Sequence, residues 1–193
     1  LETVLAAGGG TLEYSVTGNY QTLPDAVIVV VSESPYAEGQ GDRSNLDWSG
    51  GGAEHLNGVQ TLREQGIPVI TVFISGRPMF VNPELNLSDA FIAAWLPGTE
   101  AAGIADVLFA TDDSDFEGRL PFAWPGAAVN HLNAELPVAA HLFAKGYGLS
   151  YSDSATLPLL TEDPLNPDSG IVEATFPDGG DTSGPAETPF WVL

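Results

Sequence analysis

Carboxylates crowd one short stretch of this chain: SESPYAEGQGDR, residues 32–43, sets Glu33, Glu38 and Asp42 on a Gly-, Ser- and Pro-containing turn with Arg43 as the basic neighbour. The turn follows AVIVVV, the most apolar run of the sequence. Side chains of this kind donate and accept protons, so the stretch is a candidate for general acid/base chemistry as well as for a solvated acidic loop. A second loop, SGRP at residues 75–78, follows another apolar run and brings Arg77, one of only 5 basic residues in the chain.

Those loops need elements to hold them. DAVIVVV and PVITVFI (residues 68–74) are continuous β-branched runs of the sort found in parallel strands covered on both faces. Between them, GGAEHLNGVQTLREQG repeats Leu56, Val59 and Leu62 at helical spacing and ends on Gly66, which predicts a helix and its stop. Strand, helix, strand implies a right-handed parallel crossover. AFIAAWL (residues 90–96) predicts a further buried strand. PGTEAAGIADVLFA then predicts a helix capped by Thr99, with Glu100 at its positive end. LEYSV (residues 12–16), after the helix stop AAGGG, alternates like a half-exposed strand, and LPFAWP (residues 120–125) reads as a short one. The fold class is α/β, a three-layer sandwich with a mainly parallel central sheet and helices on both faces. In such sheets the loops at the carboxyl ends of the strands form the crevice, and both candidate loops lie on that edge.

Residues 1–151 carry this pattern, whereas residues 152–193 are Pro-, Gly-, Asp- and Thr-rich, without Lys or Arg, and read as an acidic linker. It ends in the apolar TPFWVL, which predicts the first strand of a further β domain. The chain opens on Leu1 rather than Met and contains no apolar run near the roughly 20 residues that span a bilayer. The expectation is an internal piece of a longer soluble protein, with no membrane partner.

With 26 acidic against 5 basic residues the net charge is -21, which opposes binding to a phosphate backbone, so no nucleic-acid partner is expected. Zero cysteines exclude disulfides, thiolate metal sites and thiol nucleophiles. GQG at residues 39–41 meets Ser44 where a dinucleotide fingerprint needs its last Gly. GLSYS (residues 148–152) fails the nucleophile-elbow pattern at its last position. Asp112, Asp113, Asp115 and Glu117 do not keep calcium-loop spacing, and His55, His131 and His141 lack zinc-motif spacing. No metal and no cofactor is assigned.

SESPYAEGQGDR, ISGRP, AAWLPGTEAAGIADVLFA, GRLPFAWP and KGYGLSY, in that order across residues 24–151, together resemble the second, α/β-sandwich domain of glycoside hydrolase family 3. The subgroup it most resembles is the bacterial exo-β-glucosidases acting on β-1,4 and β-1,3 linkages. The resemblance implies an N-terminal TIM-like barrel, absent here, that carries an aspartate nucleophile and most of the sugar-binding residues. Across the interdomain cleft the sandwich domain supplies the acid/base glutamate, which falls on Glu38. Glu33 matches a supporting acidic position, and Ser32 departs from the family's usual Gly.

The implied partners are a β-glucoside or β-glucan oligosaccharide and that barrel, and the implied location of the full-length protein is periplasmic or extracellular. A retaining glycosidase needs two carboxyl groups about 5–5.5 Å apart, and the spacing of Glu33 and Glu38 neither demands nor forbids that they form the pair. Two domains facing each other grip a sugar ring better than one loop does. Arg77 is expected to orient the acid loop by pairing with Asp42 or Glu33. Tyr36 and Trp48 are open to sugar stacking or to packing. The rival function is a non-catalytic α/β module that binds carbohydrate or stabilises a barrel. Xylosidase or N-acetylglucosaminidase specificity is a third possibility.

Overall fold

The computed structural model describes residues 1–42, 45–48, 52–128, 141–164 and 190–192. Its centre is a parallel sheet in the order β1-β2-β3-β6, formed by β1 (Val27–Ser32), β2 (Val69–Ile74), β3 (Ala90–Trp95) and β6 (Phe190–Val192). Helices α1 (Glu2–Ala7), α2 (Gly52–Glu64), α3 (Asn82–Leu87) and α4 (Ala102–Leu108) accompany it. A small antiparallel pair, β4 (Trp124–Pro125) and β5 (His141–Phe143), stands apart from the main sheet.

The strands form where β-branched residues are concentrated, because such side chains pack on a pleated surface. Alternation then sorts the side chains. Val29, Val31, Phe73, Phe91, Ala93 and Trp95 join the larger core with Leu85 of α3, while Ile28, Ile70, Val72, Ile74, Ile92 and Ala94 face Ile104, Val107 and Leu108 of α4. The sheet is thus covered by helices on its two faces, as an α/β sandwich requires.

The glycine stops act as expected. After α1, Gly9 adopts φ 78°, the Gly10 amide donates to Leu5 O at 2.8 Å and the Gly9 amide to Ala6 O at 3.1 Å. After α2, Gly66 adopts φ 77°, with Ile67 donating to Leu62 O at 3.2 Å and Gly66 to Arg63 O at 2.8 Å. Both ends are Schellman closures, which need a left-handed residue beyond the last turn.

Several expectations are corrected. LEYSV is not a strand: Leu12, Tyr14 and Val16 are exposed, and among the described residues no strand pairs with the segment. Extended backbone without a ladder gains nothing over hydrated coil. β1 is less covered than its composition suggests, with Val30 58 % exposed, because among the described residues it lies at the edge of the sheet. Thr99 does not cap α4; a 3-10 turn at Gly98–Glu100 moves the helix start to Ala102, and the Thr99 hydroxyl donates to Glu100 Oε1 at 3.2 Å instead. No residue pattern announced α3, whose first turn holds Pro83.

The packed unit also runs past residue 151. Leu157 and Leu160 are in the core, and Asn86 clasps the segment by donating to Leu160 O and accepting from the Leu160 amide, both at 2.9 Å. Most of the expected linker, with Arg43, Ser44 and His131, lies outside the described residues. Phe190–Val192 pairs with β3. No helix among the described residues is long and apolar enough to cross a membrane.

Candidate functional site

Because β1, β2 and β3 run parallel, their carboxyl ends reach the same edge of the sheet. The ladder extends one step into the loops: the Glu33 amide donates to Ile74 O at 2.9 Å and the Ser75 amide to Trp95 O at 3.1 Å. The acidic loop after β1 and the SGRP loop after β2 are therefore fixed side by side at their first residues. Ser75 Oγ donates to Arg77 O at 2.7 Å, which turns the second loop back on itself.

Arg77 ties the two loops together. Its Nε lies 3.1 Å from Glu33 Oε1 and also 3.1 Å from the Tyr36 hydroxyl oxygen, while a terminal nitrogen donates to Gly41 O at 2.8 Å. The guanidinium carbon stands 4.2 Å from the centre of the Tyr36 ring, a cation–π arrangement. Glu33 is 5 % exposed in its side chain, and its other oxygen accepts from the Gly76 amide at 3.4 Å. Of the two partners open to Arg77 in the sequence, the ion pair falls on Glu33, and Asp42 is exposed.

Glu38 opens a 3-10 turn at Glu38–Gly41, after Ala37 in extended conformation, and is exposed. Its φ is 38°, in the region that L side chains avoid. A backbone held there points to a loop over-determined by its surroundings, a condition that clusters at functional sites. The site thus separates two glutamates five positions apart: Glu33 is sequestered by a cation, and Glu38 is presented to solvent.

Tyr36 and Trp48 part company too. Trp48 is buried edge-on to Phe73 at 5.4 Å, a packing role, whereas Tyr36 is 40 % exposed and lodged in the loop.

One feature of this edge left little trace in the sequence. Trp95 has φ 53°, and the pairing of β2 with β3 slips there, since Phe73 opposes Ala93 but Ile74 opposes Trp95. A residue added to one strand re-aims the side chain that follows it. Trp95 meets Phe122 at 6.1 Å and Trp124 at 5.9 Å, and Phe122 is 47 % exposed. The only sequence signal was an aromatic residue at the end of an apolar run.

The remaining family-like strings close on one another. Leu120 donates to Tyr147 O and Gly146 to Leu120 O, both at 2.8 Å, which couples GRLPFAWP to KGYGLSY. Away from the edge, burial pushes the Glu84 carboxyl up to about 7, with its own backbone amide opposing and Glu162 and Asp47 adding to the shift. Among the described residues no group of three or more His, Asp or Glu side chains is arranged to hold a metal ion.

Comparison with known proteins gives a consistent outcome. Residues 13–151 match the model of the glycosyl hydrolase family 3 C-terminal domain. A lysosomal beta glucosidase of Dictyostelium discoideum is 35 % identical over 136 residues, covering 66 % of this chain and 16 % of that protein. A periplasmic beta-glucosidase of Salmonella typhimurium is 28 % identical over 175 residues, covering 78 % and 22 %. The crystal structure of an exo-1,3/1,4-beta-glucanase from a Pseudoalteromonas species superposes with a TM-score of 0.74 at 43 % identity, covering 84 % of this chain and 21 % of that one. The chain spans about a fifth of the length of these relatives.

Proposed function

The chain belongs to the glycosyl hydrolase family 3 C-terminal domains, and from that premise we propose that it supplies the general acid/base, Glu38, of a retaining exo-acting β-glucosidase. The nucleophile and most sugar contacts come from a barrel domain facing this one, and the substrate is a β-1,4 or β-1,3 glucan or gluco-oligosaccharide. Glu33, Asp42 and Arg77 support the loop. A periplasmic or extracellular location is proposed alongside, in keeping with the name of the Salmonella relative.

One observation carries this reading: Glu38 stands exposed at the carboxyl edge of the sheet, while Glu33 in the same loop is tied to Arg77. A proton donor must come within hydrogen-bond reach of the departing glycosidic oxygen, and the exposed residue can do so. Glu33, 5 % exposed and tied to Arg77, is poorly placed to attack a sugar from the opposite face. This supports placing the second carboxylate of the double displacement on a separate domain.

The chemistry then runs in two steps. As the barrel nucleophile attacks the anomeric carbon, the glycosidic C–O bond breaks and the Glu38 proton passes to the leaving oxygen. In the second step the Glu38 carboxylate takes a proton from water, which displaces the enzyme carboxylate and releases the sugar.

The test joins this chain to a family barrel and assays cellobiose and an activated aryl β-glucoside. Glu38→Ala should abolish cellobiose hydrolysis, and azide should restore turnover of the aryl substrate by replacing water as the attacking species. Full cellobiose activity in Glu38→Ala would instead favour a non-catalytic, barrel-stabilising module.

A further inference from the structure

We propose that Tyr36 is a positioning residue: its ring, seated between Gly41 and Gly76 under the Arg77 guanidinium, fixes the direction in which Glu38 presents its carboxyl group. The proposal rests on the acid/base reading of Glu38 and assigns a function to a side chain that the sequence left open between stacking and packing.

The seat is built from the absence of side chains. A Cβ at Gly76 would lie 2.5 Å from the Tyr36 hydroxyl oxygen, and one at Gly41 would overlap the Cδ2 and Cε2 edge of the ring. Neither glycine has a positive φ, so backbone freedom is not what these positions require; they require room for the ring. Arg77 completes the seat, lying 4.2 Å from the ring centre, donating to the hydroxyl at 3.1 Å and holding Gly41 O at 2.8 Å.

The loop is thereby pinned at Tyr36 and again at Gly41, and Glu38 sits between the pins with its φ of 38°. A ring that remains 40 % exposed contributes only part of the apolar burial a core aromatic would give. What the seat does supply is a fixed point two residues before the proton donor. Proton transfer depends on that placement, because an error of about 1 Å can cost a factor on the order of 100 in rate.

The experiment uses the chain joined to a family barrel and compares kcat/KM for cellobiose, whose leaving group needs a proton, with that for a dinitrophenyl β-glucoside, whose leaving group does not. Tyr36→Ala should lower the cellobiose value by about 10- to 100-fold and leave the dinitrophenyl value within about 3-fold. Tyr36→Phe keeps the ring in its seat and loses only the hydroxyl, so its loss should be smaller and still confined to cellobiose. Gly76→Ala should reproduce the Tyr36→Ala defect, and in a Tyr36→Ala background it should add nothing further, since the ring it displaces is gone.

Equal losses on both substrates in Tyr36→Phe, or a raised KM with kcat unchanged, would overturn the proposal in favour of a structural or sugar-stacking role. So would a Gly76→Ala defect of the same size with and without Tyr36. Wild-type kinetics in Tyr36→Ala alongside an inactive Glu38→Ala would remove the positioning role alone, whereas cellobiose activity in Glu38→Ala would remove the acid/base reading beneath it.

Discussion

Arg77 Nε lies 3.1 Å from Glu33 Oε1, joining the first residue after β1 to a residue three positions beyond the end of β2. Glu33 is 5 % exposed and Arg77 20 % exposed in their side chains, so water screens this pair less than a surface bridge. Arg77→Ala removes this cation from beside a covered carboxylate and should destabilise the chain by about 2–4 kcal/mol in urea unfolding. Adding Glu33→Gln should recover part of that loss, because the charge that faced Arg77 is then gone. A single-variant cost under about 0.5 kcal/mol would mean that the pair is held no better than an exposed one.

Glu38 pairs an exposed side chain with a left-handed backbone. Glycine adopts that backbone without a Cβ clash and alanine does not, so Glu38→Gly should be more stable than Glu38→Ala by about 1 kcal/mol. Thermal unfolding of the two variants measures the difference. Both should lack acid/base activity, which separates the conformational cost of the position from its chemistry.

Glu84 makes stability depend on pH. Burial raises its carboxyl in the folded chain from 4.5 to about 7, so the folded state favours the protonated form. The stability this protonation provides is complete below about pH 4.5 and is lost as pH rises through about 7, a loss of about 3 kcal/mol. Glu84→Gln should flatten that stretch of the profile and leave the variant more stable than wild type at pH 8. A wild-type urea midpoint that does not fall between pH 5 and 8, relative to Glu84→Gln, would show that Glu84 does not titrate in this range.

Patterns that repeat along the chain were legible in the sequence. The runs VIVVV, VITVFI and AFIAAW carry enough β-branched and aromatic character to announce β1, β2 and β3, and Gly66 announced the end of α2. The edge that holds both candidate loops followed from that order alone. Pairings over long separations were not legible. Nothing local in LEYSV says whether a neighbouring strand exists, and nothing in Leu157 or Leu160 reveals that Asn86, more than 70 positions earlier, holds that segment.

The site shows the same division. Residue types marked Glu33, Glu38 and Arg77 as reactive, but which glutamate is covered and which is free depends on where two loops meet. Tyr36 was ambiguous for the same reason, since its seat is made of two glycines 35 positions apart. Trp95 was missed because a register slip leaves no mark in composition.

The outer margin of β1 bears on how this polypeptide behaves in the test tube. Among the described residues no strand lies beyond it, so its outward amides and carbonyls form an unfinished template for another extended segment. With a formal charge of -21, like molecules repel one another before such templates can meet. Salt shortens the reach of that repulsion, and concentrated brine therefore removes the safeguard against strand-to-strand recruitment.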